Sequence, residues 1–164
     1  NTVVKMGDAF AVTAGVPHTR TFSRNNLFIG GEGGTFAGYN NGDGRIVYLP
    51  DSVDGDYDHD GLGSAAGNYS GRIGDTSFDD FAQLRTATTY ANAVQVGLDV
   101  FAASVAIPSQ PFSDYAPVDF TLQAGGAAVD QALAISNVND AHYGAGPDLG
   151  AYELGEEPPT YGPR

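Results

Sequence analysis

The chain has no cysteine and no tryptophan, and its 164 residues include only one methionine. The absence of cysteine excludes a disulfide framework, a thiolate nucleophile and any zinc or iron–sulfur site that needs cysteine ligands. Charged residues make up only 16% of the chain, whereas it contains 23 glycines and 9 prolines. This balance favours a body rich in strands and turns over a helical bundle, and the hydrophobic share of 41% suits a folded core.

Positive charge is also scarce. Only 7 Lys and Arg face 20 Asp and Glu, for a formal net charge of -13 at pH 7. Such a charge repels nucleic acid, so we expect no nucleic-acid partner. Most of the acids are Asp, which bonds backbone amides in turns and also suits the oxygen-liganded Ca²⁺ ion. The apolar runs are too short for a membrane span, and we expect none.

Short apolar runs that follow asparagine recur near the start of the chain. NTVVKM and NNLFIGG each place Asn before such a run, with Asn1 and Asn26 separated by 25 positions. RIVYLPDSVDGDYD (45–58) is a third apolar run followed by Asp-rich turns. A strand and a turn at a period in the twenties are typical of a β-solenoid. The Gly- and Asn-rich stretch 30–44 indicates an insertion that projects from one coil.

The middle of the chain predicts one helix and one further strand. In DTSFDDFAQLRTAT, Ser77 is the expected N-cap, and apolar residues at helical spacing predict a short amphipathic helix near 77–86. In NAVQVGLDVF (92–101), apolar residues alternate with others, which predicts a half-buried strand. The Pro-rich segment 107–120 is expected to follow the surface without regular structure. The apolar face of the strand consists of Val94, Val96, Leu98 and Val100.

Two motifs in the last third of the chain resemble those of a known family. DFTLQAGGAAVDQA and GPDLGAYELG resemble the closing segment of secreted bacterial proteins of the right-handed parallel β-helix superfamily, the pectate-lyase-like solenoids. The stretch FDDFAQLRTAT and the ending YGPR resemble the same C-terminal architecture, so the resemblance extends from Asp75 to Arg164. It implies an all-β, right-handed parallel β-helix with one short α-helix. Residues 1–74 would form coils with inserted Gly- and Asp-rich loops, and residues 75–164 the short helix, the last coils and a C-terminal cap. The chain would be one continuous domain and the C-terminal portion of a longer solenoid.

The last coil of a solenoid exposes an open end that must be covered, and we expect residues 124–155 to cover it. Gly125 and Gly126 are expected in a turn, and Asp130 and Asp148 are interpreted as acceptors of turn amides rather than as catalysts. The expected interior residues are Ala127, Ala128 and Val129, and the expected final strand contains Leu149, Ala151 and Tyr152.

Aspartate recurs at every second position from 54 to 60, around His59, in DSVDGDYDHDGLGS. The pattern Asp-x-Asp-x-Asp-Gly matches the first half of an EF-hand loop, so calcium is the one cofactor that the sequence suggests. Gly67 occupies the twelfth position of that loop, which excludes a complete EF-hand. The alternative is an Asp-capped turn on a solenoid coil. The candidate calcium ligands are Asp56, Asp58 and Asp60.

The same acids are candidates for chemistry on a glycosidic bond. Alternate residues of a strand share a face, so Asp54, Asp56 and Asp58 could line up in a groove. Asp54 and Asp56 are the candidates for the paired carboxylates of a glycosidase. A polysaccharide lyase instead needs a base such as histidine, and His18 is the candidate in the basic stretch described next. We rank turn formation above catalysis because such patterns arise easily in an Asp-rich chain.

The basic residues cluster in PHTRTFSRNN, where His18, Arg20, Phe22 and Arg24 have even spacing and would share one face of a strand. An aromatic ring between cations can stack on a sugar and hold an acidic substituent. Arg20, Phe22 and Arg24 are therefore the candidate substrate-binding residues. The alternative is a solvent-exposed face with Phe22 packed under a loop. His142 is interpreted as a surface residue of the closing segment.

From the resemblance, we expect part of an extracellular or cell-surface, carbohydrate-active protein that acts on a polysaccharide as a lyase or glycoside hydrolase, with catalytic coils possible outside this chain. The alternative is a non-catalytic, adhesive or self-assembling solenoid. The strand at 1–6 would leave an open edge, so we expect a partner at the Asn1 end. That partner would be the N-terminal part of the solenoid or another copy of the chain.

Overall fold

A computed structural model describes residues 1–110 and 114–157. The fold is mostly β, with short strands and one short helix. The strands are β1 (Thr2–Lys5), β2 (Phe10–Ala11), β3 (His18–Thr19), β4 (Phe22–Ser23), β5 (Leu27–Gly30), β6 (Thr35–Phe36), β7 (Tyr39–Asn40), β8 (Val47–Leu49), β9 (Ser52–Val53), β10 (Asp56–Tyr57), β11 (Gly61–Ser64), β12 (Gly71–Ile73), β13 (Thr76–Phe78) and β14 (Val94–Gln95). Helix α1 is Phe81–Ala87, and a 3₁₀ helix covers Leu98–Val100. Over these two ranges, no helix is long and apolar enough to cross a membrane.

The main sheet has four strands in the order β1-β5-β11-β14, and every neighbouring pair is parallel. Thr2 lies opposite Leu27, and Leu27 lies opposite Gly61. This register places Asn1 beside Asn26, as the sequence spacing predicted, and the Asn1 side chain donates to Oδ1 of Asn26 over 2.9 Å. A parallel sheet requires a long connection between neighbouring strands, and here the other sheets lie within those connections.

The connections repeat the same order of strands. After β1 the chain forms β2, β3 and β4, and after β5 it forms β8, β9 and β10. Each later strand pairs in parallel with its earlier counterpart: β8 with β2, β9 with β3 and β10 with β4. Strand β12 then adds in parallel to β8, while β13 turns back antiparallel to β12. We call each passage through the sheets in this order a pass.

The stretch 30–44 does form an insertion in the second pass. It contains the antiparallel hairpin of β6 and β7, whose turn places Ala37 and Gly38 in the left-handed region at φ 50° and 85°. Asp8 anchors the base of this hairpin, because its Oδ1 accepts the backbone N–H groups of Asp43 and Arg45 over 3.0 and 2.8 Å.

Two hydrophobic clusters lie on opposite faces of the main sheet. Because side chains alternate along a strand, Phe28 and Leu62 contribute to one cluster while Leu27 and Ile29 contribute to the other. The inner cluster lies within the passes and includes Ile46, Val47, Leu49, Tyr57, Leu62, Phe78, Leu84 and Tyr90. The outer cluster joins the sheet to the C-terminal segment and includes Leu27, Ile29, Val96, Val100, Phe101, Leu122, Ala128 and Leu149.

The predicted helix exists but begins later than expected. Ser77 belongs to β13, where pairing with Arg72 of β12 holds it in an extended conformation. Asp80 is the actual N-cap of α1, and its side chain accepts the Gln83 N–H over 2.8 Å. Strand pairing therefore prevents Ser77 from acting as the N-cap, and Asp80, three residues later, takes that role.

The predicted strand at 92–101 is wrong beyond residue 95. Only Val94–Gln95 pairs with β11, and after Gly97 the chain turns into the 3₁₀ helix. The predicted apolar face is nevertheless buried: Val96 and Val100 belong to the outer cluster, and Val94 and Leu98 pack against it.

The C-terminal segment differs from the expected cap in two respects. No strand forms at 149–152, and Ala127 is exposed whereas Ala128 is buried and Val129 half-buried. The segment lies against the side of the main sheet: the Leu149 N–H donates to Ala128 O, and the Gly150 N–H donates to Asn25 O. Ala128 and Leu149 share one buried cluster with Leu27 and Ile29 of β5, so burial of apolar surface holds this segment without a final strand. The ending 161–164 and residues 111–113 of the predicted surface segment lie outside the described residues.

The predicted turn roles of three residues are confirmed. Gly125 has φ 72° within a turn. Asp130 Oδ1 accepts the N–H groups of Ala145 and Gly146. Asp148, which is buried, accepts the N–H groups of Asp130 and Leu154, each over 2.7 Å.

Candidate functional site

The basic stretch 17–26 does not form one strand. His18 lies in β3 and Phe22 in β4, and Arg20 between them has a left-handed backbone with φ 58°. The prediction that His18, Arg20, Phe22 and Arg24 share one strand face is therefore wrong. Arg20 is exposed, while His18 is half-buried with Nδ1 3.2 Å from Thr21 Oγ1.

Two of the predicted binding residues do come together, with an aspartate as third member. The Arg24 guanidinium lies over the Phe22 ring, 4.4 Å from its centre, and its Nη2 is 2.8 Å from Asp56 Oδ1. The Phe22 side chain is not under a loop, since 62% of the residue is exposed. We call Phe22, Arg24 and Asp56 the Arg24 surface. Phe22 and Asp56 are direct neighbours in the pairing of β4 with β10.

The aspartates at 54–60 do not share a strand face either. Asp54 and His59 have left-handed backbones, with φ 53° and 50°, so the strand geometry is broken on both sides of β10. Asp54 and Asp56 are exposed, whereas Asp58 and Asp60 are buried. Of the four regularly spaced aspartates, two therefore face solvent and two lie inside the protein.

Asp60 is fully buried and is satisfied by hydrogen bonds from three other residues. Its Oδ2 accepts the Ser23 hydroxyl over 2.6 Å and the Tyr90 hydroxyl over 3.1 Å. Its Oδ1 accepts both the backbone N–H and the side-chain amide of Asn26 over 2.9 Å. Burial, followed by the charge of Asp60, raises the pKa of Tyr90 well above its ordinary value. Asp60 thus links the first three passes of the chain and Tyr90.

The three candidate calcium ligands have separate partners. Asp56 is paired with Arg24, Asp58 accepts from Asn92, and Asp60 accepts from the groups just described. In the part of the chain that the structure describes, no group of three or more His, Cys, Asp or Glu side chains is placed to hold a metal ion. These carboxylates are therefore not preassembled around one ion, and a calcium site stays a prediction.

A polar groove lies beside His59, between α1 and residues 130–134, with a volume of about 590 Å³. This volume is within the range of about 300–1,000 Å³ that is usual for ligand sites. Phe81 and Arg85 contribute from the helix, and the amide side chains of Asn92, Gln95 and Gln131 also line it. We call this site the His59 groove.

Asp58 and His59 form a close pair at the wall of the groove. His59 Nδ1 is 3.2 Å from Asp58 Oδ2, although it is not aligned well enough for a hydrogen bond, and Nδ1 is buried with no other partner in the described ranges. Asn92 holds the Asp58 carboxylate through its backbone N–H at 2.6 Å and its side-chain amide at 2.7 Å. Burial raises the pKa of Asp58, but these hydrogen bonds and nearby His59 outweigh that effect and lower it overall.

Sequence reasoning noticed His59 but missed the partners in its groove. Arg85 is in the last turn of α1, and residues 130–134 are more than forty positions further on. Asn25 holds this remote segment: its side chain donates to Leu133 O and accepts the Leu133 N–H, each over 2.8 Å. No local pattern signals such a contact. His142, the third histidine, is half-buried, with Nδ1 3.4 Å from Asn139 O.

The fold class defined by this geometry is a mostly β protein with parallel sheets and one short helix. A scan against protein-family models finds no match, and searches of curated proteins and of solved structures find none either. The function is therefore argued from the arrangement of the side chains.

Proposed function

We propose that the chain is the C-terminal part of a right-handed parallel β-helix. Two features support this proposal: strands of successive passes pair in parallel in a constant order, and polar residues stack at the start of the main sheet. The stack consists of Asn1, Asn26 and Asp60, joined by side-chain hydrogen bonds. In solenoids each repeat contacts mainly its neighbours, so such ladders add stability at every coil.

We further propose that the protein is extracellular and acts on or binds a polysaccharide. The observation that carries this proposal is the Arg24 surface. An exposed aromatic ring offers an apolar face to a sugar ring, and the exposed Asp56 carboxylate offers acceptors to its hydroxyl groups. The largely buried Arg24 side chain holds the ring and the carboxylate in place. Arg24 is held from both sides, so little side-chain entropy is lost when a ligand binds. Fractionation of the source cells tests the location, with the protein expected outside the cell or on its surface.

The binding test measures retention of the protein on acidic and neutral polysaccharides. Phe22→Ala should weaken retention about threefold to tenfold, because ring stacking contributes about 0.5–1.5 kcal/mol. Val16→Ala is the matched control, since Val16 is an equally exposed apolar residue at 62%. Unchanged retention of the Phe22 variant contradicts the role of the Arg24 surface. Release of oligosaccharides by the protein supports an enzyme, and new ultraviolet absorbance supports a lyase.

A second candidate function is a non-catalytic, adhesive or self-assembling solenoid. It is favoured by the first pass, where each of β1 to β4 has a paired neighbour on only one side among the described residues. Unpaired strand edges accept further strands, from an N-terminal solenoid part or from another copy. Light scattering tests assembly by this chain: a stable monomer argues against pairing between copies, and retention on glycan without cleavage supports the adhesive function.

Calcium at Asp56, Asp58 and Asp60 is tested by melting the protein with millimolar Ca²⁺ and with excess chelator. An ion that binds only the folded state raises Tm. A higher Tm with Ca²⁺ that is lost in Asp58→Asn supports the site, and equal Tm values in both conditions overturn it.

A further inference from the structure

Lys5 is the only lysine of the chain, and it lines a cavity that neither the Arg24 surface nor the His59 groove includes. We propose that this cavity binds a small hydroxylated aldehyde, such as the open-chain form of a sugar, and that the Lys5 amine joins it as an imine. This inference does not depend on the proposed polysaccharide function, because the ligand is a free carbonyl compound and the site is a separate one.

The main sheet holds Lys5 in a position that is partly removed from water. Lys5 is the last residue of β1 and lies opposite Gly30 of β5. Side chains alternate along a strand, and Val4 packs against the outer cluster, so Lys5 lies on the opposite face of the sheet. Lys5 is half-buried there. The methylene stem of a lysine tolerates such a position, but the ammonium group loses part of its hydration.

The surroundings of Lys5 favour its neutral amine more than bulk water does. Its Nζ donates to the backbone oxygen of Asp8, and within residues 1–110 and 114–157 it makes no ion pair. The Asp8 carboxylate is instead occupied by Arg45, whose Nε is 3.2 Å from Oδ1 and whose Nη2 is 2.7 Å from Oδ2. Burial lowers the pKa of Lys5, and the charge of Asp8 offsets only part of that effect. A lowered pKa increases the neutral fraction, and only the neutral amine attacks a carbonyl carbon.

The cavity has a volume of about 310 Å³, at the lower end of the range of about 300–1,000 Å³ that is usual for ligand sites. The Thr13 hydroxyl and the Asn40 side-chain amide line it and can bond to ligand hydroxyl groups. Arg45 also lines it, but Asp8 binds its guanidinium, which packs over the Tyr48 ring, 3.4 Å from the ring centre. Because this guanidinium is already paired, the cavity suits a small uncharged ligand with several hydroxyl groups better than an anion.

Imine formation at Lys5 balances without an oxidant, a reductant or a metal. The lone pair of the neutral amine forms a C–N bond to the aldehyde carbon, while the π electrons of the C=O bond move to the oxygen. One amine proton moves to that oxygen. The hydroxyl group then leaves with the second amine proton as water, and a C=N bond remains. Addition of water reverses these steps, so the adduct is reversible.

The deciding experiment incubates the protein with glyceraldehyde at neutral pH and traps the imine with cyanoborohydride. Mass spectrometry of peptides then measures the rate of alkylation at each amine. The reference protein carries Lys5→Arg together with Arg20→Lys, which moves the only lysine to an exposed position. We expect Lys5 to react at least about threefold faster than the lysine of the reference protein, the gain that one net hydrogen bond to the ligand provides. An equal or lower rate at Lys5 overturns the proposal.

Two comparisons test the class of ligand. Propanal has the same carbon chain as glyceraldehyde but no hydroxyl groups, so the preference for Lys5 over the reference lysine should be smaller with propanal. Thr13→Val should lower the glyceraldehyde rate at Lys5 about threefold. Thr19→Val, at an exposed position outside the cavity, is the matched control and should leave the rate unchanged. Equal preference for both aldehydes, or an unchanged rate in Thr13→Val, overturns the assignment of a hydroxylated ligand.

The pH dependence of alkylation checks the amine itself without any variant. The rate at Lys5 should reach its plateau at a lower pH than the rate at the lysine of an unstructured peptide, because more of the Lys5 amine is neutral at a given pH. This measurement decides the assignment if Lys5→Arg melts at a lower temperature than the parent protein. A plateau at the same pH as in the peptide overturns the role of Lys5 as a reactive amine.

Discussion

Residues 2–95 and 98–157 of this chain are held together by different kinds of hydrogen bond. In the first region, backbone groups of successive passes pair strand to strand. In the described residues of the second region, 98–110 and 114–157, no strand forms and only one bridge joins Phe101 and Leu122. Side chains such as Asp130 and Asp148 accept backbone N–H groups there, alongside isolated backbone bonds. A region held by isolated hydrogen bonds should open locally before the region held by ladders. The chain is rich in Asp, and short Asp and Asn side chains are well suited to accept nearby backbone N–H groups, as they do in the second region.

The largest expected effect is in the inner cluster. Leu62→Ala should lower the free energy of unfolding by about 2–5 kcal/mol, since Leu62 is fully buried between passes and its loss leaves a cavity. Urea unfolding measures this change, and Val16→Ala at an exposed position is the control.

Leu149→Ala in the outer cluster should instead raise protease sensitivity of the C-terminal segment first. Equal global losses with no local opening would contradict a weaker second region.

The second largest expected effect on stability is that of removing the Asp60 carboxylate. Asp60→Ala leaves the donors on Ser23, Asn26 and Tyr90 without their acceptor in a buried site. Each unsatisfied buried donor costs about 1–3 kcal/mol, so we expect a loss of about 3 kcal/mol in urea unfolding. Asp54→Asn, at an exposed position of the same Asp-rich stretch, keeps a residue type that tolerates the left-handed backbone there and should change stability by less than about 0.5 kcal/mol. A small loss for Asp60→Ala would mean that the passes do not depend on this network.

Asp148, the buried carboxylate of the second region, should contribute less to the free energy of unfolding than Asp60. Asp148→Ala removes the acceptor for the N–H groups of Asp130 and Leu154, and we expect a loss of about 2 kcal/mol. Hydrogen exchange should accelerate at these amides while amides of β5 and β11 stay protected. Glu156→Ala, at an exposed position, is the control. Faster exchange throughout β5 and β11 would mean that the two regions unfold as one.

The smallest expected effect is the dependence on pH through Asp58. Its pKa is lowered in the folded protein, so the folded state binds fewer protons than the unfolded chain near the ordinary value of about 3.9. The resulting stability is present above that value and is lost as pH falls through the folded pKa. Urea unfolding between neutral pH and about pH 3 should therefore show a shallower decline in Asp58→Asn than in the parent protein. Identical slopes would contradict the role of the Asn92 hydrogen bonds.

Several features were predictable because a spacing or a residue type in the sequence indicates them. The 25-residue spacing of Asn1 and Asn26 agrees with the register of β1 and β5. The third predicted run, at 45–58, is different: its strand β8 pairs with β2 and β12, and β11 is the next strand of the main sheet. Asp130 and Asp148 were predictable as turn acceptors because short carboxylates reach nearby amides. The helix start was missed because pairing of β13 with β12 overrode the N-cap pattern at Ser77.

The candidate sites depended on contacts that are distant in sequence. The Arg24 surface unites residues 22 and 24 with residue 56, and the His59 groove unites residue 59 with α1 and residues 130–134. The alternating acids are exposed at Asp56 and buried at Asp60, because the left-handed backbone of His59 breaks the strand geometry between them.

The sequence alone established the chemistry that was available: a strand- and turn-rich body, an excess of acidic residues, a 25-residue spacing between the first two Asn-led runs and carboxylates suited to turns. Local periodicity and turn formation depend on residues a few positions apart, so they can be inferred without coordinates. Only the tertiary structure decided which carboxylates are buried, which face of the main sheet the C-terminal segment covers, and that Arg85 lines the same groove as His59. Those outcomes are set by competition among distant segments for the same apolar surface and hydrogen-bonding groups, and that competition is resolved only when the whole chain packs.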